Sequence, residues 1–175
     1  MIILGIDPGS RKAGYAIIEV KGKKISYLTS GAMKYDQVDE FIERLGLIYH
    51  SCDEVIKKFQ PNEVAVEALI YVKSVEALSK LAQARGAMIA AFSQTRKGQI
   101  FEYSPNLVKS SVTGHGHASK EAVDKALSMM FGKINFKTTD ESDALAIAVC
   151  HALNRDMRIR LQESKSMKLN KGNEL

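Results

Sequence analysis

Cysteine is scarce in this chain, with two residues, Cys52 and Cys150, among 175. Both fall on the apolar faces of expected helices, where a free thiol serves as a small hydrophobe. The expectation is therefore a reducing compartment, with neither a disulfide framework nor a catalytic thiol. Also missing are an apolar run near the ~18 residues that a membrane span requires and a basic N-terminal stretch leading into an apolar one. A soluble, cytoplasmic protein is expected. Proline is rare, and Pro8, Pro61 and Pro105 each mark a boundary between elements. No internal repeat and no low-complexity segment interrupts the chain.

What is present fits one globular domain. A chain 45% hydrophobic and 26% charged lies in the range of ~100 to 200 residues in which a domain builds its own core. The net charge is +5, and six basic and three acidic residues between Arg155 and Leu175 supply +3 of it. That segment shows no apolar periodicity, so the expected organisation is a domain over 1–154 and a basic, mobile tail over 155–175. The body also holds acidic residues that are expected to cluster, so its other surfaces are more basic than the sum suggests. Such a surface suits an acidic partner, nucleic acid above all.

The pattern along the chain predicts an α/β fold. Ile2, Leu4 and Ile6 share one face of a first strand and Ile3, Gly5 and Asp7 the other, because side chains alternate along an extended chain. Gly5 is expected to leave room for a ligand or phosphate beside Asp7, and Pro8-Gly9 to form a tight turn. Two more strands follow, about Lys12 to Val20 and Ile25 to Met33, as an antiparallel meander. Helical spacing predicts a helix over Val38 to Phe59, ended by Pro61. A central strand over Glu63 to Leu69, a helix over Val75 to Thr95 and a strand over Ile100 to Tyr103 come next. The remaining elements are a short helix from Pro105 to about Ser111, a glycine loop over Thr113 to Ala118, a helix over Lys120 to Phe131 and a last one over Asp140 to Leu153. That last helix is apolar nearly all round and so must be buried. The sum is a five-stranded mixed sheet with helices on both faces.

Four carboxylates stand out against this frame. Glu67 interrupts an apolar central strand, where an unpaired charge costs several kcal/mol at least; a lysine such as Lys73 or Lys80, or a metal ion, would offset it. Asp7 ends a buried strand, although Asp also starts turns for purely local reasons. Asp140 and Asp143 share one side of a helix start, where acidic residues are also at home and where Thr138 and Glu141 could form a capping box. If all four converge they repel one another unless cations lie between them, and oxygen-only ligands suit Mg²⁺ or Mn²⁺. His115 and His117 lack the further ligands of a zinc site and are expected in a loop that contacts a backbone. His50 and His151 are expected to pack or face solvent.

The chain carries Ile3-Leu4-Gly5-Ile6-Asp7-Pro8-Gly9-Ser10 with Gly14-Tyr15, Val64-Ala65-Val66-Glu67, and Leu81-Ala82-Gln83-Ala84-Arg85-Gly86. Glu102-Tyr103-Ser104-Pro105, Val108-Lys109, Val112-Thr113-Gly114, Asp140-Glu141-Ser142-Asp143-Ala144-Leu145-Ala146 and Cys150-His151 follow, in order from Met1 to about Ala152. Together these motifs resemble the RuvC family of bacterial Holliday-junction resolvases. The resemblance implies an RNase H-like fold, a homodimer, four-way junction DNA as substrate and the RuvA-RuvB branch-migration complex as partner. It implies symmetric nicking of two strands with two Mg²⁺ per subunit, for which Mn²⁺ substitutes, leaving 5′-phosphate and 3′-hydroxyl ends. Asp7, Glu67, Asp140 and Asp143 take the places of the family's catalytic, metal-binding acids, and Lys109 and Lys120 those of basic residues facing DNA. Many members carry an aromatic residue at the position of Ile70, so Ile70 or the adjacent Tyr71 is the candidate for contact with junction bases. His117 stands where a basic residue is common, which makes its phosphate contact pH-dependent.

Three other readings stay open on sequence. One is a different RNase H-like nuclease acting on branched DNA or RNA/DNA hybrid, and another is a junction-binding scaffold without catalysis. The third takes Gly5-Ile6-Asp7-Pro8-Gly9 as the phosphate loop of an actin-like ATPase or sugar kinase, which would need a second domain that this chain does not supply.

Overall fold

The computed structural model describes residues 1–69 and 74–172. Five strands, β1 (Ile2–Asp7), β2 (Lys12–Lys21), β3 (Lys24–Lys34), β4 (Glu63–Glu67) and β5 (Ile100–Tyr103), form one sheet in the order β3-β2-β1-β4-β5. The first three are an antiparallel meander, and β4 and β5 join β1 in parallel. This is the mixed sheet expected from the alternation of apolar residues, and its arrangement is RNase H-like.

The two faces of β1 separate two cores. Leu4 and Ile6, with Val64 and Val66 of β4, pack under helices α1 (Phe41–Phe59) and α2 (Val75–Ser93) through Ile48, Cys52, Met88 and Phe92. Ile3, Ala65, Phe101 and Tyr103 pack on the other face against α5 (Thr139–Gly172), with α3 (Pro105–Thr113) and α4 (Lys120–Phe131) closing over it. Cys52 lies in the first core and Cys150 in the second, both unbridged. Burial pushes the Cys52 thiol up to about 12 against an opposing pull from a hydrogen bond with Tyr35, so it acts as a hydrophobe.

Local signals set the element ends. Ser104 and Ser119 cap α3 and α4 by accepting from the N–H groups of Leu107 and Ala122, which fixes both starts where expected. Helix α1 begins at Phe41, three residues later than the periodicity suggested. Its buried Arg44 donates to the carbonyls of Val38 (2.8 Å), Asp39 (3.0 Å) and Ser10 (3.4 Å), holding the preceding segment out of the helix. The Ser10 contact also anchors the turn after β1.

Two expectations are corrected. The last helix does not stop at Leu153 but runs unbroken to Gly172. The stretch contains no proline and no earlier glycine and is rich in Arg and Lys, which propagate a helix without an apolar face. The free space at Gly5 is filled by α5: a Cβ there would fall 2.2 Å from the carbonyl oxygen of Ala144 and 2.8 Å from Cβ of Ala148. Among the described residues no helix is long and apolar enough to cross a membrane.

Candidate active site

Glycine at two positions of the sheet lets α5 lie directly on it. At Gly14, the partner of Asp7 in β2, a Cβ would fall 2.0 Å from the carbonyl oxygen of Asp140. With Gly5 this brings the first turns of α5 to the end of β1. Glu141 fixes that start from behind, because its Oε1 accepts from the N–H groups of Lys137 and Thr138 at 3.1 Å, the carboxylate half of a capping box. Its Oε2 accepts from Ser30 of β3 at 2.7 Å. Asp140 and Asp143 are thereby delivered to the edge where β1 and β4 end.

Asp7 and Glu67 are the residues just past the register pair Ile6 and Val66 on neighbouring parallel strands. Their proximity to the α5 acids shows in the electrostatics. Burial, followed by the charges of Glu67, Asp143 and Asp140, pushes the Asp7 carboxyl up to about 8, against a downward pull from Lys120. Burial and Asp143 also raise Glu67, while Lys109 and Lys120 pull it down. Glu67, Lys109, Lys120 and Asp143 line one cavity of about 160 Å³, floored by Val108, Val123 and Ala146. The four acids thus lie near the same edge of the sheet, close enough for the charges of Glu67, Asp143 and Asp140 to act on Asp7.

Lysines hold two of them. Lys120 donates to Asp143 and to Oγ of Ser142 (2.8 Å), and its ammonium stands 3.7 Å from Asp124. Lys12 Nζ lies 2.6 Å from Oδ2 of Asp140, an oxygen that is buried without a well-aligned hydrogen-bond donor. Of the lysines named from sequence as counter-charges for Glu67, Lys80 pairs with Glu76 instead, and Lys73 lies outside the described residues. As oriented here, no three acidic, histidine or cysteine side chains among the described residues close on a single metal position. The donor chemistry nonetheless fits a hard divalent cation: it is all oxygen, crowded with like charge, and forces Asp7 toward its protonated form in the cation's absence.

A family model for crossover junction endodeoxyribonuclease RuvC matches residues 3–151. The chain belongs to the RuvC family. The RuvC of Trichlorobacter lovleyi is 40% identical over 160 residues, covering 91% of this chain and 89% of that one. The RuvC of Brachyspira hyodysenteriae is 41% identical over 152 residues, covering 87% and 94%. Thermus thermophilus RuvC, solved in complex with a Holliday junction substrate, superposes with a TM-score of 0.81 at 34% identity, covering 90% of this chain and 96% of that chain.

The remaining sites named from sequence divide into two groups. Ile70 and Tyr71 lie outside the described residues. His115 and His117 face a separate groove of about 640 Å³ between the end of α3 and α4, lined also by Lys125, Ala122, Met129 and Met130. Two features escaped sequence reading. Lys12 gave no signal because its partner is remote in the chain. Arg85 of α2, inside a RuvC-like motif, donates to the carbonyl of Glu67 at 3.0 Å and to Glu102 of β5 at 2.6 Å, so it pins the end of β4.

His151, expected to pack or face solvent, is fully buried in a polar chain. Its Nδ1 is 2.7 Å from the Tyr103 hydroxyl and its Nε2 2.8 Å from Glu63, which also takes two 2.7 Å bonds from Arg155. Arg155 therefore belongs to the packed body and not to a tail beginning at that residue.

Proposed function

We propose that this RuvC-family protein resolves Holliday junctions by divalent-cation-dependent hydrolysis of one phosphodiester in each of two symmetric strands. What supports the reading is the placement of Asp7, Glu67, Asp140 and Asp143 near one sheet edge, with Asp7 driven up to about 8 by burial and then by the charges of the other three. Asp7, Glu67, Asp140 and Asp143 would hold Mg²⁺ or Mn²⁺, with Asp7 central between them. When bound, the cations lower the pKa of a water and stabilise charge on the leaving 3′ oxygen. Lys109 and Lys120 meet the incoming phosphate at the rim of the cavity. His115 and His117 present the glycine loop to the DNA backbone, and Ile70 or Tyr71 contacts junction bases. Two cuts per junction call for two copies of the site, hence a homodimer, working with the RuvA-RuvB complex in the cytoplasm. Residues 1–154, with Arg155 as their anchor, constitute the nuclease unit.

A cleavage panel of four-way junction, linear duplex and RNA/DNA hybrid, with and without Mg²⁺, tests this. Paired nicks confined to the junction, abolished by Asp7→Asn while junction binding persists, are expected. Preferential cutting of hybrid, or a normal rate in the variant, would overturn it.

A further inference from the structure

We propose that Lys12 is a resident counter-cation for Asp140, displaced by an arriving divalent ion and then available to a phosphate of the bound DNA strand. This rests on the reading that the four carboxylates hold metal. The turn from Asp7 to Lys12 is closed as tightly as a backbone allows: a Cβ on Gly9 would fall 1.9 Å from the Lys12 carbonyl oxygen. Arg44 donates to the Ser10 carbonyl, and the Tyr35 N–H bonds that of Arg11 at 2.8 Å. The backbone of Lys12 is thus fixed beside the site, and its ammonium feels Asp140 first and Asp7 last.

The side chain is not fixed in the same way. It is 52% exposed, while the Asp140 side chain is 18% exposed. An ion pair formed by a solvated ammonium on a flexible stem is weak, and a divalent ion among several carboxylates outcompetes it. Lys120 differs, since it is also held by Ser142 Oγ and the Thr139 carbonyl and stays in place when Asp143 is claimed. Among the described residues, Asp140 is the acid that Lys12 pairs with. Once released, its ammonium lies at the mouth of the site where the phosphate must come. Metal and DNA then strengthen each other's binding through one side chain, as linkage requires.

Two measurements on the intact protein test the proposal. Acylation of surface lysines, read by mass spectrometry, should show Lys12 labelled several-fold faster in Mg²⁺ than in EDTA, with the exposed neighbour Lys34 unchanged. For a cleavage-resistant phosphorothioate junction, Lys12→Met should lower the salt slope of binding by ~0.9, one phosphate, in Mg²⁺ but not in EDTA. Unchanged labelling, or an equal slope difference under both conditions, would overturn it. Mn²⁺ binding followed by electron paramagnetic resonance separates the two levels. Without Mn²⁺ uptake the carboxylate reading fails, whereas uptake with unchanged Lys12 labelling removes only the role of Lys12.

Discussion

A carboxyl group placed beside three others and out of water keeps its proton near neutral pH, and Asp7 is that group. Its ordinary value is 3.8 and its folded value about 8, so between those limits the folded protein retains a proton that the unfolded chain has released. The associated stability is full below pH 3.8 and is lost as pH rises through 8. Asp7→Asn removes this penalty. In EDTA its melting temperature should exceed that of the parent by an amount that grows from pH 5 to pH 8, where ~1 kcal/mol moves a domain of this size by ~2–4 °C. A gap that stays flat with pH in thermal melts would place Asp7 away from the other acids. Added Mg²⁺ should close the gap by stabilising the parent alone. Asp7 and Glu67 were legible in the sequence because a charge inside an apolar strand has few explanations. Lys12, Arg44 and Glu63 were not, since what explains each is a partner brought close only by folding.

Element α5 turns that local chemistry into a site, and its seat on the sheet depends on the absence of side chains at Gly5 and Gly14. An added methyl at Gly5 meets backbone, the carbonyl of Ala144, which cannot move without moving the helix. Gly5→Ala should therefore cost ~1–3 kcal/mol as overpacking and displace Asp140 and Asp143 together, reducing nicking more than tenfold. Gly46→Ala is the contrast. That residue is exposed within α1 and has nothing within 4 Å of its missing Cβ, so the change should stabilise by ~0.5–1 kcal/mol and leave nicking alone. Denaturant unfolding and junction cleavage of both variants check the pair, and equal behaviour would contradict the role given to Gly5. Elements were legible where the chain carries stop signals. Pro105, Ser119 and Gly132 bracket α3 and α4, whereas nothing between Leu153 and Gly172 ends a helix, so a drop in apolar periodicity was mistaken for the end of α5.

At the scale of the whole molecule, α5 is tied to the sheet at two places along its length. One is the acidic site at its start; the other is the buried chain Tyr103–His151–Glu63–Arg155, which joins β5, α5 and β4. The mixed sheet and its covering helices were legible because each motif lies on a recognisable element, whereas the strand order came only with the fold. The second tie was hidden, because Glu63 reads as the edge of an apolar run and His151 as one more helical residue. Burial alone would raise the Glu63 carboxyl, but hydrogen bonds from His151 and Arg155 outweigh it and hold the group down at about 2 from its ordinary 4.5. Stability from this source is present above pH 4.5 and is lost as pH falls through about 2. Glu63→Gln leaves a buried histidine and a guanidinium without their acid, a loss on the order of 3 kcal/mol. Urea unfolding should show that deficit constant from pH 5 to pH 8 and shrinking below pH 4.5 as the parent loses its own ion pair. A deficit that persists unchanged at pH 3 would mean that Glu63 contributes through shape and not through charge, and that α5 is held at His151 by packing alone.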